Sequence, residues 1–178
     1  TNSLQDKLKV NAIVKEAASS VTDYRFNYYE MKMLSQSEVV SLAERHLVSP
    51  EFASSRDGRA LLLTEDEAVS IMLNEEDHIR LQVMYAGFAL DEAYRTADRI
   101  DTALNTKLDF AFDDKLGYLS QDPASLGTGM KASVVLHLPG LAGLMQIPKL
   151  ISTVQKLGLT LRGSYGEGAA AKGDLFRL

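Results

Sequence analysis

The densest group of chemically active side chains occupies residues 74–80, with the sequence Asn-Glu-Glu-Asp-His-Ile-Arg between two apolar runs. In an extended strand alternate side chains share a face, so Glu76, His78 and Arg80 would line one surface if this segment were extended. A carboxylate, an imidazole and a guanidinium on one surface can move protons and bind an anion. The segment is therefore a candidate catalytic or binding site.

Two other interpretations of residues 74–80 stay open. A solvated turn, in which the acidic and basic side chains pair with each other, is the ordinary outcome for a short charged segment of this kind. A metal site built from Glu, Asp and His is the third interpretation, and the spacing of these residues supports it only a little.

A second cluster, residues 127–133, has the sequence Gly-Thr-Gly-Met-Lys-Ala-Ser. It fits the dinucleotide pattern G-x-G-x-x-A, but an apolar strand follows it where that fingerprint requires a helix. It is not a P-loop, because no glycine immediately precedes Lys131. The cluster is typical either of a glycine-flanked turn that brings Lys131 to an anion or of a plain turn with one surface lysine.

A third cluster runs from Arg162 to Gly173, with glycines at 163, 166, 168 and 173. Such a segment suits a lid that closes over a substrate and offers one cation, Arg162, and one carboxylate, Glu167. A flexible hairpin connection is the alternative. Residues 50–59 mix Ser, Asp, Gly and charged residues and are interpreted as a loop, and the Ser and Arg within 54–59 as part of its surface.

The elements that must position these clusters follow from hydrophobic periodicity and turn residues. Ser35 to Glu38 has the pattern of a capping box, which predicts the start of a helix that ends before Pro50. Strand candidates separated by short turns, with the later helices between strand groups, predict an α+β fold with a largely antiparallel sheet flanked by helices. The other predicted helices are 4–18, 90–110 and 146–157, and the predicted strands are 25–33, 60–64, 68–73, 78–85, 133–138, 159–162 and 174–178.

Composition sets the class of protein. The 178 residues are 46% hydrophobic and 24% charged, the balance of one soluble domain, and the net charge of -5 argues against nucleic acid or an anionic membrane as a partner. The absence of cysteine excludes disulfides, thiolate metal sites and a cysteine nucleophile, and fits a reducing compartment.

With no signal peptide or apolar span, the cytoplasm is the expected location. The first residue is Thr and the last lies within a predicted strand, so we expect a segment of a longer protein.

Taken together, three segments resemble the catalytic domain of the ATP:guanidino phosphotransferases in order and approximate spacing. They are residues 74–80, residues 126–134 (L-G-T-G-M-K-A-S-V) and residues 162–168 (R-G-S-Y-G-E-G). The flanking sequences at 46–50 (H-L-V-S-P) and 136–139 (L-H-L-P) are most similar to the bacterial protein-arginine kinase branch. The resemblance extends from about residue 44 to the C-terminus and, more faintly, through the first helix.

The resemblance implies the guanidino kinase fold and in-line transfer of the γ-phosphoryl of ATP, with Mg²⁺, to a guanidinium nitrogen. It implies that Glu76 is the catalytic base and that Glu167 is a second carboxylate that grips the guanidinium. Arg80, Lys131 and Arg162 match the nucleotide-phosphate positions, and His78 is placed with them on the nucleotide side.

The chain also departs from the family pattern. Asp122 stands where relatives carry a reactive cysteine. Its carboxylate would keep a negative charge near the substrate guanidinium, as a thiolate would, so Asp122 is a third catalytic candidate. Lys131 replaces the usual arginine. A planar guanidinium that can donate two parallel hydrogen bonds is thereby replaced by a single ammonium group. Ala170 replaces a glutamate. Residues 1–178 contain neither the family's N-terminal S-S-R-x-R nucleotide motif nor its C-terminal helical domain. Ser54-Ser55-Arg56 resembles the start of that motif but lies after H-L-V-S-P, which is the wrong place for it.

We therefore expect a single guanidino-kinase-like catalytic domain over residues 1–178 that phosphorylates arginine side chains of proteins. One alternative is a kinase of free arginine or another small guanidino compound, and a second is a catalytically weakened module that binds arginine or nucleotide. The resemblance also implies protein substrates that carry arginine, a zinc-binding activator protein and Clp-type protease machinery as partners, and it leaves a homodimer open.

Overall fold

The computed structural model describes residues 2–164 and 171–178. The chain divides into two compact units, residues 1–131 and residues 132–178, which are treated separately below. That the two act as the one catalytic domain predicted over residues 1–178 stays a prediction.

In its described part the first unit contains four α-helices, two short 3-10 helices (Met31–Met33 and Pro123–Ser125) and six strands. The helices are α1 (Leu4–Ser19), α2 (Gln36–Glu44), α3 (Pro50–Ser54) and α4 (Leu90–Asn105). The strands are β1 (Phe26–Glu30), β2 (Ala60–Thr64), β3 (Val69–Leu73), β4 (Ile79–Val83), β5 (Phe112–Asp113) and β6 (Gly117–Tyr118).

Strands β1 to β4 form an antiparallel sheet in the order β1-β2-β3-β4. The central strands β2 and β3 are buried along their whole length, and Leu62 lies opposite Ile71 in the ladder between them. A strand buried on both faces needs an apolar run rather than an alternating pattern, which is what both sequences have. The predicted α+β fold with a largely antiparallel sheet is confirmed.

Each face of this sheet packs against its own pair of helices. Leu62 and Ile71 belong to a cluster with Val14 of α1 and Ile100 of α4. Leu61 and Met72, which point to the opposite face, belong to a second cluster with side chains of α2 and α3. The two clusters make the sheet the rigid base from which the loop after β3 projects.

Local sequence explains where the helices begin. Ser35 caps α2 and Glu38 reaches back to the Ser35 backbone, so the predicted capping box is confirmed. The loop predicted from Pro50 to Arg59 is wrong in its first half, because Ser49 caps the short helix α3 and Pro50 occupies its first turn. Phe52, fully buried in that helix, holds it against the sheet.

The second unit has two helices and three strands in its described part. The helices are α5 (Pro139–Gly143) and α6 (Ile147–Gln155), and the strands β7 (Val135–His137), β8 (Arg162–Gly163) and β9 (Leu175–Arg177) are antiparallel in the order β7-β9-β8. Strand β7 ends at His137, before Pro139-Gly140, and Pro139 then lies in the first turn of α5, a short helix that the sequence did not predict. No helix in the described part of the chain is both long and apolar enough to cross a membrane.

Candidate functional site

The predicted catalytic segment is a tight loop that joins β3 to β4. Residues 74–78 bend, and the Asn74 amide donates to the His78 carbonyl at 3.0 Å to close the loop. The extended conformation that would place Glu76, His78 and Arg80 on one face is therefore not adopted. Asn74 has a φ of 61°, a left-handed conformation that asparagine tolerates better than most residues.

The buried side chain of Asn74 anchors the start of this loop. Its Nδ2 atom lies 2.9 Å from Asn11 Oδ1, 3.0 Å from the Gly58 carbonyl and 3.1 Å from the Lys7 carbonyl. Asn11 Nδ2 in turn donates to the Gly58 carbonyl at 3.2 Å. Helix α1 and the turn before β2 thus fix the position from which the acidic residues project.

The carboxylate of Glu75 is enclosed, with a side chain that is 7% exposed. Arg80 Nη1 donates to both of its oxygens at 2.9 Å, and Ser49 Oγ donates to Oε1. Burial raises the pKa of Glu75, but the hydrogen bonds from Ser49 and Arg80 and the charge of Arg80 outweigh burial and hold it below its ordinary value. Arg80 is therefore positioned by Glu75.

Glu76 has the opposite environment. Its side chain is exposed and, within the described part of the chain, makes no hydrogen bond or ion pair. A carboxylate group that is held on an anchored loop and is open to solvent is placed to accept a proton from a bound substrate. His78 is also exposed, and its Nε2 lies 2.6 Å from Asn2 Nδ2.

Asp77 joins this loop to the segment that precedes Lys131. Its Oδ2 accepts from Ser120 Oγ at 2.7 Å and its Oδ1 accepts from the Gln121 amide at 2.9 Å. Ser120 Oγ also accepts from the Asp122 amide at 3.1 Å. Two segments more than 40 residues apart in sequence are brought together in this way.

Asp122 and Lys131, two of the departures from the family pattern, contact each other. Lys131 Nζ donates to Asp122 Oδ2, which also accepts from Ser125 Oγ at 3.1 Å. Backbone hydrogen bonds between Tyr118 and Gly127 close the loop that carries Asp122. Gly117 permits this closure, because a Cβ at its φ of 77° would lie 2.5 Å from the Gly127 carbonyl oxygen.

The remaining predicted site residues belong to the second unit. Arg162 begins β8 and lies opposite Arg177 of β9 in the ladder. Glu167 and Ala170 lie outside the described residues. Among the residues described, no group of three or more His, Asp or Glu side chains could hold a metal ion, so nothing here supports the metal-site interpretation of the 74–80 segment.

Sequence reasoning missed the residues that hold the site in place. Asn11, Ser49, Asp77 and Ser120 each form contacts with a site loop from a distant part of the chain. A serine directly before proline does signal a helix cap at Ser49. No local pattern indicates that the same hydroxyl also donates to Glu75.

Comparison with known proteins places the chain in a family. The family model "ATP:guanido phosphotransferase, C-terminal catalytic domain" matches residues 9–178. A protein-arginine kinase of Halothermothrix orenii is 44% identical over 97% of this chain and 49% of the relative. A protein-arginine kinase of Pelotomaculum thermopropionicum is 48% identical over 82% of this chain and 41% of the relative.

Solved structures agree in fold. The substrate-free duplicated taurocyamine kinase from Schistosoma mansoni matches with a TM-score of 0.80 and 25% identity, over 99% of this chain and 26% of that one. Lombricine kinase matches with a TM-score of 0.75 and 22% identity, over 98% of this chain and 52% of that one. The chain spans about half the length or less of the curated relatives named here. The predicted resemblance is confirmed, and the chain belongs to the ATP:guanido phosphotransferase family through its catalytic domain.

Proposed function

We propose that this chain is the catalytic part of a kinase that phosphorylates arginine side chains of proteins. The observation that carries the proposal is its 40–48% identity to relatives named protein-arginine kinase over most of its length. The exposed carboxylate of Glu76 on the anchored loop after β3 supports the same chemistry.

The reaction needs one proton transfer and one phosphoryl transfer. A guanidinium nitrogen attacks the γ-phosphorus of ATP, a nitrogen–phosphorus bond forms, and the bond to the oxygen bridging the β- and γ-phosphates breaks to release ADP. The proton lost by the nitrogen passes to the Glu76 carboxylate. In this proposal Arg80, Lys131, Arg162 and His78 would bind the nucleotide, while Glu167 and Asp122 would interact with the substrate guanidinium.

Mg²⁺ fits this proposal only as a partner of the nucleotide. The described residues offer no protein cage for it, and Glu75 and Asp77 are already occupied by Arg80 and by Ser120 with the Gln121 amide. Mg²⁺ in nucleotide sites is held largely by phosphate oxygens and water. When bound there, it would offset charge on the phosphates.

The test supplies Mg-ATP with an arginine-rich protein or with free arginine and measures acid-labile phosphate on each. We expect label on protein, and a loss of about 100-fold or more in Glu76→Gln, because an amide cannot take the proton. Glu65→Gln, in the turn before β3 and at the other end of that strand, is the matched control and should keep wild-type activity. No label on either substrate would contradict both kinase functions.

A kinase of a small guanidino compound is the second candidate. The name of one similar solved structure, taurocyamine kinase, favours it. Label on free arginine and none on protein would support this candidate. Nucleotide binding without phosphoryl transfer to either substrate would instead support a third function, a catalytically weakened binding module. The ion pair between Lys131 and Asp122 favours this third function.

The proposed kinase function also carries expectations about the partners of this protein and about where in the cell it acts. We expect arginine-bearing proteins as substrates, a zinc-binding activator and Clp-type protease machinery as partners, and the cytoplasm as the place of action. Co-purification of the tagged chain from cells, with and without stress, tests these partners.

A further inference from the structure

Two cations that the proposed function assigns to nucleotide phosphate each contact a carboxylate. Arg80 contacts Glu75 through Nη1 alone, so its remaining N–H groups can still donate to a phosphate. Lys131 is different, because its whole charge sits on the single ammonium group that contacts Asp122. The second pair can therefore change how strongly the site attracts an anion.

Asp122 is held in place by groups other than Lys131. Ser125 Oγ donates to its carboxylate at 3.1 Å, and its own amide donates to Ser120 Oγ at 3.1 Å. Ser120 donates to Asp77 and so ties this segment to the loop that carries Glu76. If Lys131 turned toward a phosphate, the Asp122 carboxylate would remain close to that phosphate.

The pair is accessible to a ligand. The side chain of Lys131 is 53% exposed and that of Asp122 is 26% exposed, so neither is enclosed by the fold. An ammonium group has three N–H donors and can contact a carboxylate and a phosphate oxygen at once. A bound nucleotide would then be attracted by Lys131 and repelled by Asp122.

We propose that Asp122 is a specificity-determining residue that sets which charge state of the nucleotide this site accepts. Its carboxylate offsets the charge of Lys131 and repels phosphate oxygens, and this repulsion grows with the negative charge of the ligand. Metal-free ATP carries more negative charge than Mg-bound ATP. Asp122 therefore biases the site toward Mg-bound ATP. The inference rests on the proposed function, because it assumes that Lys131 binds nucleotide.

The test measures the dissociation constants of Mg-ATP and of metal-free ATP, the latter in EDTA, by isothermal titration calorimetry. Asp122→Asn keeps the shape and an oxygen acceptor for Ser125 but removes the charge. We expect metal-free ATP to bind about three- to fivefold more tightly and Mg-ATP less than about twofold more tightly. The difference should shrink at high ionic strength, because exposed charges are screened.

Asp114→Asn is the matched control, since it removes one carboxylate charge from an exposed turn before β6. It should leave both dissociation constants within about twofold of wild type. Asp122→Ser is a second variant that removes the charge, for use if Asp122→Asn does not fold. Thermal unfolding establishes that each variant is folded before binding is compared.

The outcomes separate the two proposals. Equal gains for both forms of ATP, or unchanged or weaker binding of metal-free ATP by a folded variant, would overturn the role of Asp122 and leave the proposed kinase function standing. Absence of nucleotide binding in wild type and variants alike would overturn both. A selective gain for metal-free ATP would support the inference.

Discussion

Glu75 and Glu76 are adjacent in sequence, but their carboxylates have opposite surroundings. Glu75 is enclosed and accepts from Ser49 and Arg80, whereas Glu76 is exposed and, within the described residues, unpartnered. The side chain that holds the loop together is thus distinct from the one available for chemistry. The same substitution at the two positions should therefore produce different defects.

Glu75→Gln should reduce stability more than Glu76→Gln does. Glutamine removes the charge that Arg80 and Ser49 stabilise, and we expect a loss of about 1–2 kcal/mol in the free energy of unfolding, measured by urea denaturation at neutral pH. Glu67→Gln is the matched control. It breaks another Glu–Arg pair, with Arg45, but at a side chain that is 38% exposed. It should cost less than about 1 kcal/mol. Equal losses at the two positions would contradict a special role for the enclosed pair.

The lowered pKa of Glu75 also predicts how stability depends on pH. A carboxyl group whose pKa is lower in the folded state stabilises the fold above its ordinary unfolded pKa, and this stabilisation is lost as the pH falls through the folded value. Wild type should lose stability on acidification below the ordinary glutamate range. In Glu75→Gln that part of the acid-induced loss should be absent. Denaturation curves at several acidic pH values measure the difference, and parallel pH profiles would contradict it.

At the scale of elements, helix α1 belongs to the site although it supplies none of its reactive groups. Asn11 is 3% exposed and accepts from Asn74 while donating to the Gly58 carbonyl. A buried polar side chain without its partner is costly. The helix therefore fixes the left-handed residue from which the loop after β3 begins.

Asn11→Ala should cost about 1–3 kcal/mol of unfolding free energy and loosen the loop after β3. Hydrogen exchange should be faster at the Asn74 amide, which closes that loop, than in wild type. Asn105→Ala, at an exposed position at the end of α4, is the matched control and should change neither quantity much. Unchanged exchange at Asn74 in a folded Asn11→Ala protein would show that α1 does not position the loop.

Hydrophobic periodicity predicted most elements but not their ends. The predicted helix 90–110 stops at Asn105, yet Leu108 and Phe110 still pack against the core, so the apolar spacing continues where the helix does not. Helix α3 was missed although Ser49-Pro50 is a local capping signal, because a helix of five residues is too short to show apolar periodicity. In the site, the order of the motifs was visible in the sequence. The pairing of Asp122 with Lys131 was not, because it depends on loop closure through Tyr118 and Gly127.

At the scale of the whole molecule, the buried clusters follow the division into units. Both clusters on the faces of the large sheet contain only residues before Lys131. The cluster of the second unit has three buried members among the described residues, Val154, Leu161 and Phe176. Since the described part of this short unit has so small a core, we expect it to bury too little apolar area to fold independently.

Separate expression of the two units should therefore give different results. Residues 1–131 should fold alone with one cooperative thermal transition, because α1 to α4 and β1 to β4 supply their own core on both faces of the sheet. Residues 132–178 should be largely unfolded by circular dichroism. The first fragment should lose phosphoryl transfer, since it lacks Arg162 and Glu167, but it should still show the stability loss of Glu75→Gln. A non-cooperative transition in residues 1–131 would mean that the second unit is needed for the first to fold.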